Sequence, residues 1–127
     1  MKIRSGIDIL DLGRFEKSYQ RRGQKFLETF LVEQEIELAQ GKTESLAGFF
    51  SAKEAISKAI GSGIWQANVN WHNFLIIIDD LGKPSVRLSG EALARYDKMG
   101  GIDLDISISH EKEYVVAFCV ILLKSKE

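Results

Sequence analysis

Apolar positions recur along the chain with two different periods, and the switches between them mark the elements. At the N-terminus Ile3, Gly6-Ile7 and Ile9 alternate with polar neighbours, which predicts a short strand ending near Asp8. Asp11 then offers an N-cap for a helix from about Leu12 to Arg22, stopped by Gly23. Phe26, Leu27, Phe30 and Leu31 form an apolar cluster in the next segment. A short helix is predicted over 33–40, with Ile36, Leu38 and Ala39 facing inward and Gly41 as its stop. Leu46, Phe49, Phe50, Ile56 and Ile60 recur at helical spacing, so the main helix is expected over 44–60, capped by Thr43 and ended by Gly61.

Beyond a Gly-rich, aromatic connection the period returns to that of a strand. FLIIIDD at 74–80 reads as a β-branched strand, LGKP at 81–84 as a turn, and Val86 to Leu88 as the second arm of a hairpin. Ser89 begins a helix reaching about Met99, which Gly100-Gly101 ends. Two further strands, 103–109 and 114–123, are joined by a tight turn at HEKE. The pattern is one α+β domain over 1–127, a mostly antiparallel sheet packed with a long central helix.

Composition narrows this without redirecting it. Hydrophobic residues make up 45% and charged residues 28%, the balance of an ordinary soluble globular domain. A net charge of −1 gives no global reason to expect nucleic acid as a partner. The single cysteine, Cys119, lies inside the apolar run YVVAFCVILL and reads as a small buried hydrophobe, so no disulfide forms within the chain. MKIRSGIDILD lacks the sustained apolar run of a signal peptide, and Val115 to Leu123 falls far short of the roughly 20 residues that cross a bilayer. A cytoplasmic location with no membrane contact is expected.

Candidate chemistry sits where charges interrupt apolar surface. In FFSAKEAISKA, Glu54 and Lys58 are one helical turn apart on one face. Such a pair is ordinarily a surface ion pair, but few other polar positions flank it. Lys53, Glu54, Ser57 and Lys58, followed by Gly61, are therefore expected as a narrow polar strip along a cleft. A carboxylate there suits a hard cation and a lysine suits phosphate. Asp8 is either a turn residue or the second carboxylate of a divalent-metal pair with Glu54. His110 stands at a strand end beside a turn, where side chains commonly face clefts; His72 is assigned no role. Gly61-Ser62-Gly63 is either a helix stop or a place for close backbone approach to a ligand, and the chain has no GxxxxGK(S/T) phosphate loop. The first helix and its exit carry Arg14, Lys17, Arg21, Arg22 and Lys25 against one acid, Glu16. Arg14, Arg21 and Lys25 share a face by spacing, either as a solvated surface or as a docking site for an acidic protein.

Taken together, GID at 6–8, FSAKEAISKAIGSG at 50–63, GKP at 82–84 and ISISHEKEYVVA at 106–117 resemble the holo-(acyl-carrier-protein) synthases, small 4′-phosphopantetheinyl transferases. The resemblance spans about residues 3–123. It implies transfer of the 4′-phosphopantetheine arm of coenzyme A, with Mg²⁺ on its pyrophosphate, to a serine of apo acyl carrier protein, releasing 3′,5′-ADP and supporting fatty acid biosynthesis. By the same resemblance Asp8 and Glu54 are the metal ligands and Lys58 the pyrophosphate clamp. Gly61, Ser62, Gly63, Lys83, Pro84 and His110 are implied to contact coenzyme A. Arg14, Arg21, Arg22 and Lys25 are implied to dock the carrier protein. The base for the serine is implied to be a water relay or a carboxylate such as Glu35 or Glu37. Single-unit members resemble homotrimers with sites between subunits. Phe49 stands where relatives often carry arginine, and Leu31-Val32 replaces their Leu-Thr. Two alternatives accompany this reading: a coenzyme-A-binding module impaired in catalysis, and a transferase for a carrier of secondary metabolism.

Overall fold

The computed structural model describes residues 1–63 and 69–125. Strand β1 (Lys2–Asp11) leads into helices α1 (Leu12–Arg22), α2 (Gln24–Phe30), α3 (Glu33–Ala39) and α4 (Thr43–Ile60). A 3₁₀ turn (Trp71–Asn73), the hairpin β2 (Phe74–Ile78) and β3 (Pro84–Leu88), helix α5 (Gly90–Lys98), and strands β4 (Gly101–His110) and β5 (Tyr114–Leu123) follow. The architecture is α+β. An antiparallel three-stranded sheet of order β1-β5-β4 carries α4 on one face, and β2–β3 forms a separate antiparallel pair beside β4.

Helix α4 lies close to the sheet because its inner face is small. Ala47, Ala52, Ala55 and Ala59 are buried, alternating with Leu46, Ile56 and Ile60. Val115, Ala117, Cys119, Ile121 and Leu123 of β5 project toward it at the strand period of two. Gly6 shows how tight the approach is: a Cβ there would meet the Ala55 carbonyl oxygen at 2.0 Å and the Ala59 nitrogen at 2.7 Å. Burial pushes the Cys119 thiol up to about 12, which makes it inert. Beyond the end of the sheet, Phe15, Phe26, Phe30, Phe50 and Trp71 pack largely edge to face.

Several sequence expectations shift. The first strand runs to Asp11, and its alternating isoleucines face away from α4: Ile3, Ile7 and Ile9 are exposed, while Arg4, Gly6 and Asp8 take the helix side. The cluster around Phe26 is itself a helix, separated from α1 by Gly23 at φ 63°. Lys25 therefore belongs to a different helix from Arg14 and Arg21 and does not extend their face. Leu38 is exposed rather than inward. Lys42, not Thr43, occupies the N-cap of α4, and Gln40 rather than Gly41 ends α3, in the left-handed region at φ 51°. β2 ends at Ile78, where the Asp79 carboxylate accepts from the Leu81 and Lys83 amides and takes over the turn. Residues 64–68 of the aromatic connection lie outside the described residues.

Candidate active site

The close packing that Gly6 permits sets the site. It brings β1 alongside α4, so that Asp8, two residues on, faces the helix at Ser51, Glu54 and Lys58. These positions stack at spacings of three and four, one face over two turns. The Ser51 hydroxyl donates to Asp8 Oδ2 at 2.8 Å. Lys58 Nζ donates to the Ile7 carbonyl at 2.9 Å and to Asp8 Oδ1 at 3.3 Å. The Asp8 carboxylate is thus held from both sides, while Lys58 keeps half of its side-chain surface exposed. Helix α4 ends one turn later, where the Gly61 amide donates to the Ser57 and Lys58 carbonyls in a left-handed cap.

Glu54 is only partly covered, yet burial raises its pKa above the ordinary carboxylate range, and the neighbouring Asp8 charge raises it further; Lys58 opposes both. Two carboxylates that repel across a half-buried space suit a cation between them. Among the described residues no group of three or more His, Cys, Asp or Glu side chains is placed to hold a metal. The donor set is then two carboxylates at most. That fits Mg²⁺, which takes one or two protein carboxylates and fills its shell with water and substrate phosphate oxygens.

Two members of the expected strip turn elsewhere. Lys53 is fully buried: its Nζ donates to Glu35 Oε1 at 2.8 Å, the Phe30 carbonyl at 2.7 Å and the Trp71 carbonyl at 3.2 Å. Ser57 is buried and donates to the Glu54 carbonyl within the helix. The cause is angular: Lys53 lies about 100° around the helix from Glu54, on the side facing α3. The same pairing removes Glu35 from the role of base. Its carboxylate is buried, accepts from Lys53 and from the Val32 and Ile76 amides, and reaches no cleft. Glu37 is exposed on α3. Ser51 was not singled out from the sequence, although its spacing from Glu54 and Lys58 placed it on the same face.

A second group of candidates assembles on the opposite edge of the sheet. A cavity of about 230 Å³ is lined by Glu44, Phe49, Ile78, Gly82, Pro84 and His110, among others. Phe49 is 3% exposed and contributes an apolar wall to this cavity. Lys83 leans away from this cavity: its Nζ donates to Asp105 at 2.7 Å and to the Ile106 carbonyl at 3.3 Å. Since β1 and β4 flank β5, the carboxylate group and the His110 group stand about 10 Å or more apart within one chain. Ser62 and Gly63 follow Gly61 at the far end of α4, with the Ser62 hydroxyl donating to the Gly63 carbonyl at 2.8 Å. Arg14, Arg21, Arg22 and Lys25 are all exposed, and the Arg22 guanidinium stacks on the Phe26 ring at 4.7 Å.

Comparison with known proteins places this arrangement in a family. A family model described as the 4′-phosphopantetheinyl transferase superfamily matches residues 4–119. A holo-[acyl-carrier-protein] synthase of Ruminiclostridium cellulolyticum is 41% identical over 127 residues, covering 97% of this chain and 94% of that protein. One of Chlorobium luteolum is 45% identical over 114 residues, covering 87% and 92%. The crystal structure of the Helicobacter pylori holo-[acyl-carrier-protein] synthase in complex with coenzyme A superposes with a TM-score of 0.85 at 36% identity, covering 93% of this chain and 99% of that one. The chain belongs to the 4′-phosphopantetheinyl transferase superfamily and is an enzyme of its small holo-(acyl-carrier-protein) synthase kind.

Proposed function

We propose that the chain transfers the 4′-phosphopantetheine arm of coenzyme A to a serine of apo acyl carrier protein, in the cytoplasm and in support of fatty acid biosynthesis. The observation that carries this is the pairing of Asp8 with Glu54 beside Lys58, on a helix face that Gly6 lets β1 approach. Asp8 and Glu54 would hold Mg²⁺, which when bound neutralises charge on the pyrophosphate of the coenzyme. Ser51 and Lys58 fix the Asp8 carboxylate. Lys58, half exposed, turns its ammonium toward the anhydride and offsets the charge that builds as it breaks. The serine oxygen forms the new bond to the β-phosphorus as its proton passes to water, the anhydride P–O bond breaks, and 3′,5′-ADP leaves. Such a reaction needs positioning and charge stabilisation rather than a covalent enzyme intermediate.

His110, with Gly82 and Pro84, takes the nucleotide end of coenzyme A against Phe49. Gly61, Ser62 and Gly63 supply the flanking contacts, and Lys83 would join them only by leaving Asp105. Arg14, Arg21, Arg22 and Lys25 present exposed positive charge to the acidic carrier protein. Assembly as a homotrimer, with sites between subunits, is supported by the outer face of the sheet. In register, Ile3 lies opposite Leu122, Ile7 opposite Phe118 and Ile9 opposite Val116, and this apolar ridge is uncovered in the single chain.

The test mixes purified protein, apo carrier protein, coenzyme A and Mg²⁺, and reads the carrier's mass. Gain of the phosphopantetheine arm, abolished by Glu54→Ala, is the expected result. Coenzyme A binding without transfer to any carrier would leave a binding module. Transfer only to a carrier of secondary metabolism would reassign the pathway.

A further inference from the structure

Helices α4 and α5 end at the same place, and their last turns leave a cavity of about 330 Å³ lined by Arg4, Ile60, Gly61, Arg95, Lys98 and Met99. A neighbouring cavity of about 150 Å³ shares Arg4 and Met99 and adds Lys2 and Lys124. The arrangement is built rather than incidental. Arg4 Nη1 lies 3.6 Å from the point a Gly61 Cβ would occupy. The Lys124 amide donates to the Gly100 carbonyl at 2.9 Å, tying the end of β5 to the end of α5. Five cations thus rim two adjoining cavities, in a chain whose net charge is −1.

Among the described residues none of these five side chains forms an ion pair. The acids of α5, Glu91 and Asp97, line neither cavity. Arg95 Nε is buried and has no acceptor among the described residues. Arg95 lines the cavity, and a guanidinium offers phosphate the bidentate pairing it favours; the covered Nε is not among the donors the cavity presents. The dipoles of α4 and α5 help to hold cations at these helix ends. That role alone asks for no ligand, and it would not require a concavity with an apolar floor of Ile60 and Met99.

We propose that this cavity binds the diphosphate group of a small metabolite, at a site away from the Asp8–Glu54 pair that shares only Gly61 with the proposed coenzyme contacts. Arg4, Arg95 and Lys98 match the charge of a diphosphate better than that of a single phosphate. The proposal does not rest on the transferase reading, and its test is binding rather than turnover.

The probe is inorganic pyrophosphate, titrated calorimetrically into metal-free protein in chelator, with orthophosphate and ADP as companions. Wild type and Glu54→Gln are expected to bind pyrophosphate equally, and Arg95→Gln and Lys98→Gln about tenfold or more weakly. Orthophosphate should bind more weakly than pyrophosphate, and tighter binding of ADP would identify a nucleotide as the source. Lys98 is exposed, so its variant keeps the test interpretable if Arg95→Gln unfolds. No saturable binding at millimolar pyrophosphate overturns the proposal. Displacement by coenzyme A also overturns it, since the cavity would then be part of the coenzyme site. So does a raised KM for carrier protein in Lys98→Gln without pyrophosphate binding, which would make the patch a protein-docking surface.

Discussion

Replacing Lys53 by methionine tests how α4 is locked in rotation, and the structure supplies the magnitude. The Lys53 ammonium is buried with three acceptors, and Glu35 is buried with three donors, so the pair joins α4 to α2, α3, β2 and the 3₁₀ turn. Burial lowers the Lys53 pKa while Glu35 opposes the shift. A buried pair of this kind adds little net stability over a well-packed apolar pair, but removing one partner strands the other and costs about 3–5 kcal/mol. In Lys53→Met the Glu35 carboxylate keeps only two amide donors, and the Phe30 and Trp71 carbonyls lose their partner. Against a total of about 5–15 kcal/mol, that is a large fraction. In urea, with a slope of about 2 kcal/mol per molar, the midpoint should fall by about 2 M. The assay is equilibrium unfolding at fixed protomer concentration, because subunit assembly would shift the midpoint. Glu35→Gln completes a double-mutant cycle, in which the double variant should lose about 1–3 kcal/mol less than the sum of the singles. A midpoint shift below about 0.5 M in Lys53→Met, or additivity in the cycle, would refute the reasoning. Turnover per folded enzyme should survive, since Lys53 points away from Asp8 and Glu54.

Three further outcomes follow from the same geometry. Gly6→Ala places a methyl group 2.0 Å from the Ala55 carbonyl oxygen; it should cost at least about 1–3 kcal/mol in urea unfolding and, by pushing β1 off α4, lose transfer activity even where the protein stays folded. Because the Glu54 pKa is raised in the folded chain, its contribution to metal-free stability is present below the ordinary carboxylate pKa and is lost as pH rises through the raised value. Glu54→Gln should therefore melt higher than wild type at neutral pH without metal, and should lose the fall in Mg²⁺ affinity that wild type shows as pH drops through the same range. Arg14→Glu and Arg21→Glu should raise KM for an acidic carrier at unchanged kcat, with the gap closing as salt is added; a salt-insensitive KM would count against electrostatic docking.

What could be read from the sequence was whatever depends on local period and spacing. The long helix, both hairpins and the joint placement of Glu54 and Lys58 were visible because side-chain direction follows from position along a helix or strand. Two kinds of fact were not. The direction of Lys53 depends on which flank of α4 meets α3, a tertiary choice to which a neighbour in sequence gives no clue. The outward face of β1 inverted the usual rule: alternation correctly implied a strand, but the small and polar residues face α4 and the isoleucines do not. Gly6 is the hinge between these levels. Its motif neighbour Asp8 was identified as chemistry, whereas the glycine's own role appears only when the helix backbone is seen against it.

The separation of the two candidate groups turns the proposed assembly into a sharp test. Asp8, Glu54 and Lys58 sit at the β1 edge, His110 and Pro84 at the β4 edge, and β5 lies between them. If sites lie between subunits as proposed, a neighbouring copy supplies the second group to the same coenzyme. In a cyclic trimer with its sites between subunits, every interface would join the carboxylate edge of one subunit to the histidine edge of the next. Glu54→Gln spoils the first edge and His110→Ala the second, so each homotrimer is impaired at every site. Mixed in equal amounts and allowed to exchange, random trimers rebuild an intact site wherever a His110→Ala subunit offers its Glu54 to a Glu54→Gln subunit offering its His110. That combination falls at about one interface in four, so about a quarter of wild-type activity should return. Recovery requires that both edges meet between chains. If the mixture, shown by mass spectrometry to have exchanged, stays as inactive as its parents, each chain carries its own complete site and the division across the sheet has no catalytic meaning.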